Sequence, residues 1–93
     1  MKDWIVYILR CADNSLYTGI TRDIVRRVDE HNNNDRLASA YARSRRPVKL
    51  VYMETHTDRS SASKREAVIK KMEKPEKEQL ILSHLNRYKQ DQN

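Results

Sequence analysis

A basic side chain and an imidazole, Arg27 and His31, lie four residues apart on a predicted helix. Ile24 and Val28, also four residues apart, define the apolar face of that helix, and both polar residues border it. An arginine presents a planar fork of donors that suits phosphate oxygens. The pair is therefore a candidate functional pair, although a stem-buried arginine beside a satisfied core histidine is the structural alternative.

A carboxylate takes a similar position on a second predicted helix. Glu66 lies close to the inward face that Ala62 and Ile69 mark. An ionised glutamate at the edge of a core face costs free energy unless a cation or hydrogen-bond donors are nearby. A glutamate that reaches out to solvent is the structural alternative. Together with Arg27 and His31, Glu66 favours a functional cluster.

Gly19 is the only glycine of the chain, whereas a soluble protein of this length would carry about six. It lies two residues after Tyr17 in the predicted second strand, and Tyr7 lies in the first. A glycine in a strand marks a bulge, an unusual backbone angle or a place where a ligand approaches the backbone. A simple strand end is the other interpretation. Because the chain avoids glycine elsewhere, we expect a ligand to approach here.

Composition limits the class of protein. The chain has 93 residues, of which 38% are hydrophobic, so we expect one domain with one modest core. The formal net charge of +6 favours a polyanionic partner, nucleic acid first. No apolar run approaches the length of a membrane span, and the N-terminus has no signal-peptide pattern. The single cysteine, Cys11, fits a reducing compartment, so we expect a cytoplasmic protein that does not bind membranes.

Hydrophobic periodicity predicts three strands and three helices. The strands are expected at residues 4–10, 16–20 and 47–54, and the helices at residues 22–32, 59–73 and from 75 onward. Thr21 can cap the first helix, with Asp23 in its first turn, and residues 35–46 are expected to form a mobile loop or a short helix. The order β-β-α-β-α-α predicts an α+β domain at residues 1–86, with a small three-stranded antiparallel sheet flanked by helices. Residues 87–93 are expected to form a disordered polar tail.

Several of these positions together resemble a known family, the GIY-YIG nuclease superfamily. The matching positions are, in chain order, Val6-Tyr7, Tyr17-Thr18-Gly19, Arg27, His31 and Glu66. The likeness is greatest to the small stand-alone bacterial members, an uncharacterised group, and it covers about residues 3–83. Ile5 stands where the first motif has glycine, and Thr18 is the middle residue of the second. Neither departure removes a functional group.

The resemblance implies hydrolysis of phosphodiester bonds with one divalent ion, Mg²⁺ or Mn²⁺. Glu66 would hold the ion through a single carboxylate, and Arg27 would clamp phosphate oxygens. Tyr7 or Tyr17 would orient or deprotonate the attacking water, and His31 is the other candidate base.

The resemblance gives Gly19 a supporting role, because a missing side chain would let the backbone that carries Tyr17 lie close to the scissile phosphate. The implied protein is a metal-dependent endonuclease that acts on DNA, on structured or single-stranded forms, in repair or recombination. A non-catalytic nucleic-acid-binding domain on the same fold and a protein-interaction module are the alternatives. Five further basic residues could track a nucleic-acid backbone or lie in solvent: Arg43, Arg45, Arg46, Lys49 and Lys70.

Overall fold

A computed structural model gives the chain three strands and four helices within residues 3–88, the part that it describes. The strands are β1 (Trp4–Arg10), β2 (Leu16–Thr21) and β3 (Lys49–His56), and the helices are α1 (Ile24–Asn33), α2 (Ala40–Arg43), α3 (Arg59–Lys70) and α4 (Lys74–Leu82). The strands form one antiparallel sheet of order β2-β1-β3, which confirms the α+β class. The short α2 lies within residues 35–46. None of the helices in this described part is long and apolar enough to cross a membrane.

β1 is the central strand because its side chains are apolar on both faces. Val6 and Ile8 belong to a core with residues of α3 and α4, whereas Tyr7 and Leu9 belong to a second core on the side of α1 and α2. Successive side chains of a strand point to opposite faces, so the alternation divides the core into two layers. Tyr7 is thereby directed toward α1, the helix that carries the predicted Arg27 and His31.

Aspartates begin the two longer helices. Asp23 caps α1 by accepting the backbone N–H of Arg26 at 3.2 Å, and Asp58 caps α3 by accepting that of Ser61 at 2.8 Å. The prediction that Thr21 caps the first helix is therefore wrong. Thr21 instead accepts the backbone N–H of Asp23 at 3.2 Å, which orients the aspartate for its capping role.

Asn86 fastens the segment after α4 to the edge of the sheet. This side chain is 7% exposed, and its amide nitrogen donates to the carbonyl oxygens of Val51 and Ile81, both at 2.9 Å. Its amide oxygen accepts the backbone N–H groups of Met53 at 3.2 Å and Tyr88 at 2.9 Å. Nothing in the local sequence distinguishes Asn86 from a surface asparagine, because its partners on β3, Val51 and Met53, lie 35 and 33 residues away along the chain.

The expected tail at residues 87–93 lies only partly within the described residues. Arg87 donates its backbone N–H to the carbonyl oxygen of Met53 at 2.8 Å, so residues 87 and 88 are held against β3. Residues 89–93 lie outside the described part, and for them the disordered tail stays a prediction.

We expect Asn86→Ala to lower the free energy of unfolding by about 2–4 kcal/mol, because it removes four hydrogen bonds and leaves buried backbone groups unsatisfied. Urea unfolding followed by circular dichroism measures the change. Asn33→Ala is the control, since Asn33 is exposed and its side chain bonds only within α1, to Asp29 at 2.8 Å. Equal effects of the two substitutions would show that Asn86 does not anchor the segment.

Candidate active site

Tyr7 places its hydroxyl at the centre of the candidate site. The side chain is 1% exposed, its Oη lies 3.0 Å from Nε2 of His31, and its ring centroid lies 6.4 Å from that of Tyr17. The positive charge of Arg27 and the negative charge of Glu66 both act on the hydroxyl. The structure therefore brings all five predicted catalytic residues together around one phenol.

The hydrogen bonds of His31 define its protonation state. The ring is fully buried, and its Nδ1 accepts the backbone N–H of Ser39 at 3.3 Å. Burial first, then the positive charges of Arg27 and Arg46, lower the pKa of His31 to about 4. The ring is thus neutral at pH 7, and because Nδ1 accepts, Nε2 carries the proton. His31 therefore donates to the Tyr7 oxygen, and both of its nitrogens are engaged.

The pKa of Tyr7 is set by opposing effects. Burial is the largest and raises it to about 12, and the nearby Tyr17 and Glu66 act in the same direction. The nearby guanidinium of Arg27 lowers it. The phenol is therefore protonated at neutral pH, and a further positive charge at the site would favour its ionisation.

Arg27 is held in place at the border of the site. Its Nη1 donates to the Glu30 carboxylate at 3.0 Å and to the carbonyl oxygen of Leu37 at 2.8 Å, and its side chain is 26% exposed. Glu30 also accepts from Arg26 at 3.0 Å. These bonds hold the side chain at an open cleft of about 180 Å³ between the end of β2 and α1, and of the five candidate residues Arg27 alone lines it.

Glu66 projects from the middle of α3 and pairs with Lys70 at 3.3 Å. Its side chain is 22% exposed, so the carboxylate lies at the surface of the site rather than within the core. Glu66 therefore reaches solvent, and its charge also acts on the Tyr7 hydroxyl, while a functional role of Glu66 stays a prediction.

Gly19 serves a different purpose from the one expected. It is the direct cross-strand partner of Tyr7, and a Cβ added at Gly19 would lie 2.5 Å from Oη and 2.7 Å from Cζ of Tyr7. Its φ angle is not in the left-handed region. The space left by the missing side chain is therefore filled by the Tyr7 phenol, and the expectation that it admits a phosphate beside Tyr17 is corrected.

We expect Gly19→Ala to lower the free energy of unfolding by about 1–3 kcal/mol, because the new methyl group overpacks against the buried Tyr7 ring. Urea unfolding of a double-mutant cycle with Tyr7→Leu isolates this contact, since leucine is too short to reach the added methyl. In the Tyr7→Leu background the cost of Gly19→Ala should largely disappear. An equal cost in both backgrounds would mean that the Tyr7 ring does not require the glycine.

The depressed pKa of His31 predicts a dependence of stability on pH. The unfolded chain takes up a proton near pH 6.5, whereas the folded protein does so only near pH 4. Unfolding therefore binds a proton in this window, and the free energy of unfolding should fall by up to about 3 kcal/mol as the pH decreases from 6.5 to 4. Urea unfolding across this range should show a smaller slope for His31→Asn and the wild-type slope for His84→Asn, a control at an exposed histidine. Identical slopes in all three proteins would contradict the assignment.

Three of the basic residues expected to contact nucleic acid are bonded within the chain. Arg46 donates to the His31 carbonyl oxygen at 2.7 Å and to the Asp35 carboxylate at 2.8 Å, so it supports the loop above the site. Arg43 donates to the Asp35 carbonyl oxygen at 2.8 Å. Arg45 pairs with Asp13 at 3.2 Å.

The two lysines of that set lie at different places on the surface. Lys49 is exposed at the start of β3, and Lys70 is paired with Glu66 at the site itself. A nucleic-acid contact by any of the five residues stays a prediction.

Two residues near the site lie in residues 35–46, the stretch expected to form a mobile loop or a short helix. Ser39 caps α2 and supplies the N–H that fixes the His31 ring. Tyr41, on α2, stacks on Tyr17 with a centroid distance of 5.8 Å. Ser followed by an alanine-containing turn is a capping signal, but residues 35–46 are too polar for periodicity to reveal it.

Comparison with known proteins finds relatives along most of the chain. Residues 3–79 match the sequence model of a family described as the GIY-YIG catalytic domain. A UPF0213 protein of Desulfotalea psychrophila is 55% identical over 78 residues, which are 84% of this chain and 70% of that protein. A UPF0213 protein of Staphylococcus epidermidis is 46% identical over 81 residues, which are 87% of this chain and 96% of that protein.

A solved solution structure is similar in fold. It is that of a protein from E. faecalis, 35% identical, and the match covers 96% of this chain and 97% of that chain with a TM-score of 0.62. The segment matched by the family model contains every residue of the candidate site.

Proposed function

The chain belongs to the GIY-YIG family, and from this premise we propose that it is a divalent-metal-dependent endonuclease acting on DNA. The family is one of nucleases, and the finer assignment is supported by one observation above all. A single buried phenol, that of Tyr7, lies 3.0 Å from an imidazole donor of α1 and is also influenced by a guanidinium of α1 and a carboxylate of α3. A structural tyrosine needs one partner, whereas this set suits a proton transfer next to a phosphate.

In the proposed reaction Tyr7 orients the attacking water as a neutral phenol, or takes a proton from that water as a phenolate after its own hydroxyl proton has passed to solvent. The proton on His31 Nε2 holds the Tyr7 oxygen in position and stabilises the phenolate as it forms, because it donates to that oxygen. These bonds favour Tyr7 over Tyr17 as the base. They also give His31 a positioning role rather than a basic one, since its pKa of about 4 leaves it a poor proton acceptor from a phenol.

Arg27 binds the scissile phosphate in this proposal. Its guanidinium lines a cleft that is large enough for a phosphate group, and arginine binds such groups through paired N–H donors. The same guanidinium lowers the pKa of Tyr7. Arg27 therefore couples recognition of the substrate to activation of the base.

The residues of the site fit an ion of the magnesium type. Mg²⁺ is commonly held by one or two carboxylates together with water and substrate phosphates, and Glu66 offers one partly exposed carboxylate near Tyr7. Among residues 3–88 no group of three His, Cys, Asp or Glu could hold a metal, so a phosphate substrate would complete the ligand set. When bound, the ion, Mg²⁺ or Mn²⁺, stabilises the leaving oxygen and offsets phosphate charge.

The proposed substrate is DNA in a structured or single-stranded form, as arises in repair or recombination. The net charge of +6 supports a polyanionic substrate. The buried, unpaired Cys11 supports a reducing cytoplasm as the place where the protein works.

Labelled duplex, single-stranded, flap and four-way-junction DNAs, incubated with Mn²⁺ or with EDTA, test the proposal. We expect cleavage of at least one substrate with Mn²⁺ and none with EDTA. The Glu66→Gln protein, purified identically, identifies any contaminating nuclease. Cleavage that persists in EDTA or in this variant would contradict the proposal, and salt-sensitive binding without cleavage would favour a non-catalytic nucleic-acid-binding domain.

A further inference from the structure

A stack of flat groups leads outward from the candidate site to the surface. The Tyr17 ring packs edge-on against buried His31 at a centroid distance of 5.4 Å. Tyr41 stacks on Tyr17 at 5.8 Å with an angle of 27° between the rings. The guanidinium carbon of Arg45 then lies 3.7 Å from the centroid of the Tyr41 ring. Arg45 is therefore the outermost group in a series of contacting planar side chains that begins at His31 in the candidate site.

The N–H groups along the edge of the Arg45 guanidinium already donate hydrogen bonds within the chain. Its Nε donates to the Asp13 carboxylate at 3.2 Å, and its Nη1 donates to the Tyr41 carbonyl oxygen at 3.1 Å and to the Ser44 hydroxyl at 3.0 Å. Guanidinium N–H bonds lie in the plane of the group, so these contacts fix the orientation of that plane. The side chain is nevertheless 34% exposed, with one face covered by Tyr41.

This arrangement suits stacking better than phosphate binding. A phosphate contact requires paired N–H donors, and three of the five donors of Arg45 are bonded within the chain. Asp13 also offsets its charge, and the pKa of Asp13 is lowered, first by its hydrogen bonds with Ser15 and also by Arg45. A nucleic-acid base, by contrast, stacks on a guanidinium plane without needing its edge.

We infer that the exposed face of Arg45 is a stacking surface for an unpaired nucleic-acid base near the cleavage position. The inference rests on the proposed function and specifies its substrate class. A paired base inside a duplex has both faces covered by its neighbours, so only a base in a single-stranded or splayed segment can offer a face to Arg45.

Binding measured in EDTA, where no cleavage occurs, tests the inference directly. The probe is a fluorescently labelled single strand of about 16 nucleotides, compared with the matching duplex by anisotropy at fixed salt. A set of strands that each carry one abasic site removes one base at a time. The variant is Arg45→Lys, which keeps the charge and loses the plane. Arg36→Lys, at an exposed arginine of the same segment, is the matched control.

We expect Arg45→Lys to weaken single-strand binding about tenfold, the effect of losing one stacked base, and to change duplex binding by less than about twofold. One abasic position should weaken binding by the wild type about tenfold and by Arg45→Lys hardly at all. Arg36→Lys should behave like the wild type. Should Arg45→Lys fail to fold, Asp13→Asn is the second variant, because it weakens a hydrogen-bonded ion pair that orients the guanidinium plane while keeping Arg45. We expect Asp13→Asn to weaken single-strand binding about threefold.

The outcomes separate this inference from the proposed function. Unchanged single-strand binding by Arg45→Lys, or an equal abasic effect in the wild type and the variant, would overturn the stacking role even if the protein cleaves DNA. An abasic effect that depends on Arg45 in a protein that cleaves no substrate would support the stacking role and contradict the nuclease. A wild-type protein that binds no DNA would overturn both.

Discussion

A protein in which phenylalanine replaces Tyr7 is expected to remain folded and to lose DNA cleavage by about a thousandfold. The substitution removes the hydroxyl on which His31, Arg27 and Glu66 act and keeps the ring that fills the space beside Gly19. A positioned general base contributes about 10²–10⁴ to a rate, so the loss should lie in the chemical step. Single-turnover rates with saturating protein and Mn²⁺ measure it.

The stability of Tyr7→Phe requires a matched control. The donor of His31 loses its buried acceptor, which costs about 1–3 kcal/mol. Tyr52 is equally buried, and its hydroxyl donates to the Glu54 carboxylate on the opposite face of the sheet. Tyr52→Phe should therefore show a comparable loss of stability with cleavage unchanged. A Tyr7→Phe protein that cleaves within tenfold of the wild type would move the role of base to Tyr17.

The pairing of helical positions could be predicted because it depends on local geometry alone. Arg27 and His31 share a face by their spacing in α1, and the apolar β1 had to be central because both of its faces are apolar. The convergence of those residues on Tyr7 also follows once α1 packs on the Tyr7 face of the sheet. These features need only periodicity and the alternation of a strand.

The role of Gly19 could not be read from its own strand. It depends on the register that sets Gly19 opposite Tyr7, and a hairpin's register is decided by the geometry of its turn. The rarity of glycine in the sequence therefore drew attention to a position at the candidate site, but the space beside Gly19 holds the Tyr7 ring and not a phosphate. The glycine accommodates the side chain of Tyr7 on the neighbouring strand.

The hydrogen bonds made by the loop between α1 and β3 could not be predicted from the sequence either. Arg46 and Ser39 are distant from His31 along the chain, yet one binds its carbonyl oxygen and the other its ring. The composition of residues 35–46 predicts a basic, solvent-facing stretch, and its positive charges suggest contacts with phosphate groups. Intramolecular acceptors compete for the same donors, and only the folded arrangement reveals which of them prevail.

Replacing Glu66 by glutamine is expected to abolish cleavage, with a loss of about a thousandfold or more. Removal of a ligand to a catalytic ion forfeits several kcal/mol of transition-state stabilisation, and each 1.36 kcal/mol is a factor of ten in rate. The fold should be retained, because the pair with Lys70 is a partly exposed helical ion pair worth only a few tenths of a kcal/mol. Cleavage rates across a Mn²⁺ titration measure the effect, with Asp29→Asn as a control that removes an exposed carboxylate of α1.

The direction of the Glu66→Gln effect discriminates between two roles of the carboxylate. Burial raises the pKa of Tyr7 most, and the negative charge of Glu66 makes the smallest contribution in the same direction, so its removal should not by itself hinder formation of the phenolate. If Glu66 served only as a neighbouring charge, the variant would be at least as active as the wild type. If it holds the ion, the loss of the ligand outweighs this effect on the phenolate, and activity should fall at every Mn²⁺ concentration. A variant as active as the wild type, or more so, would therefore exclude Glu66 as the metal ligand.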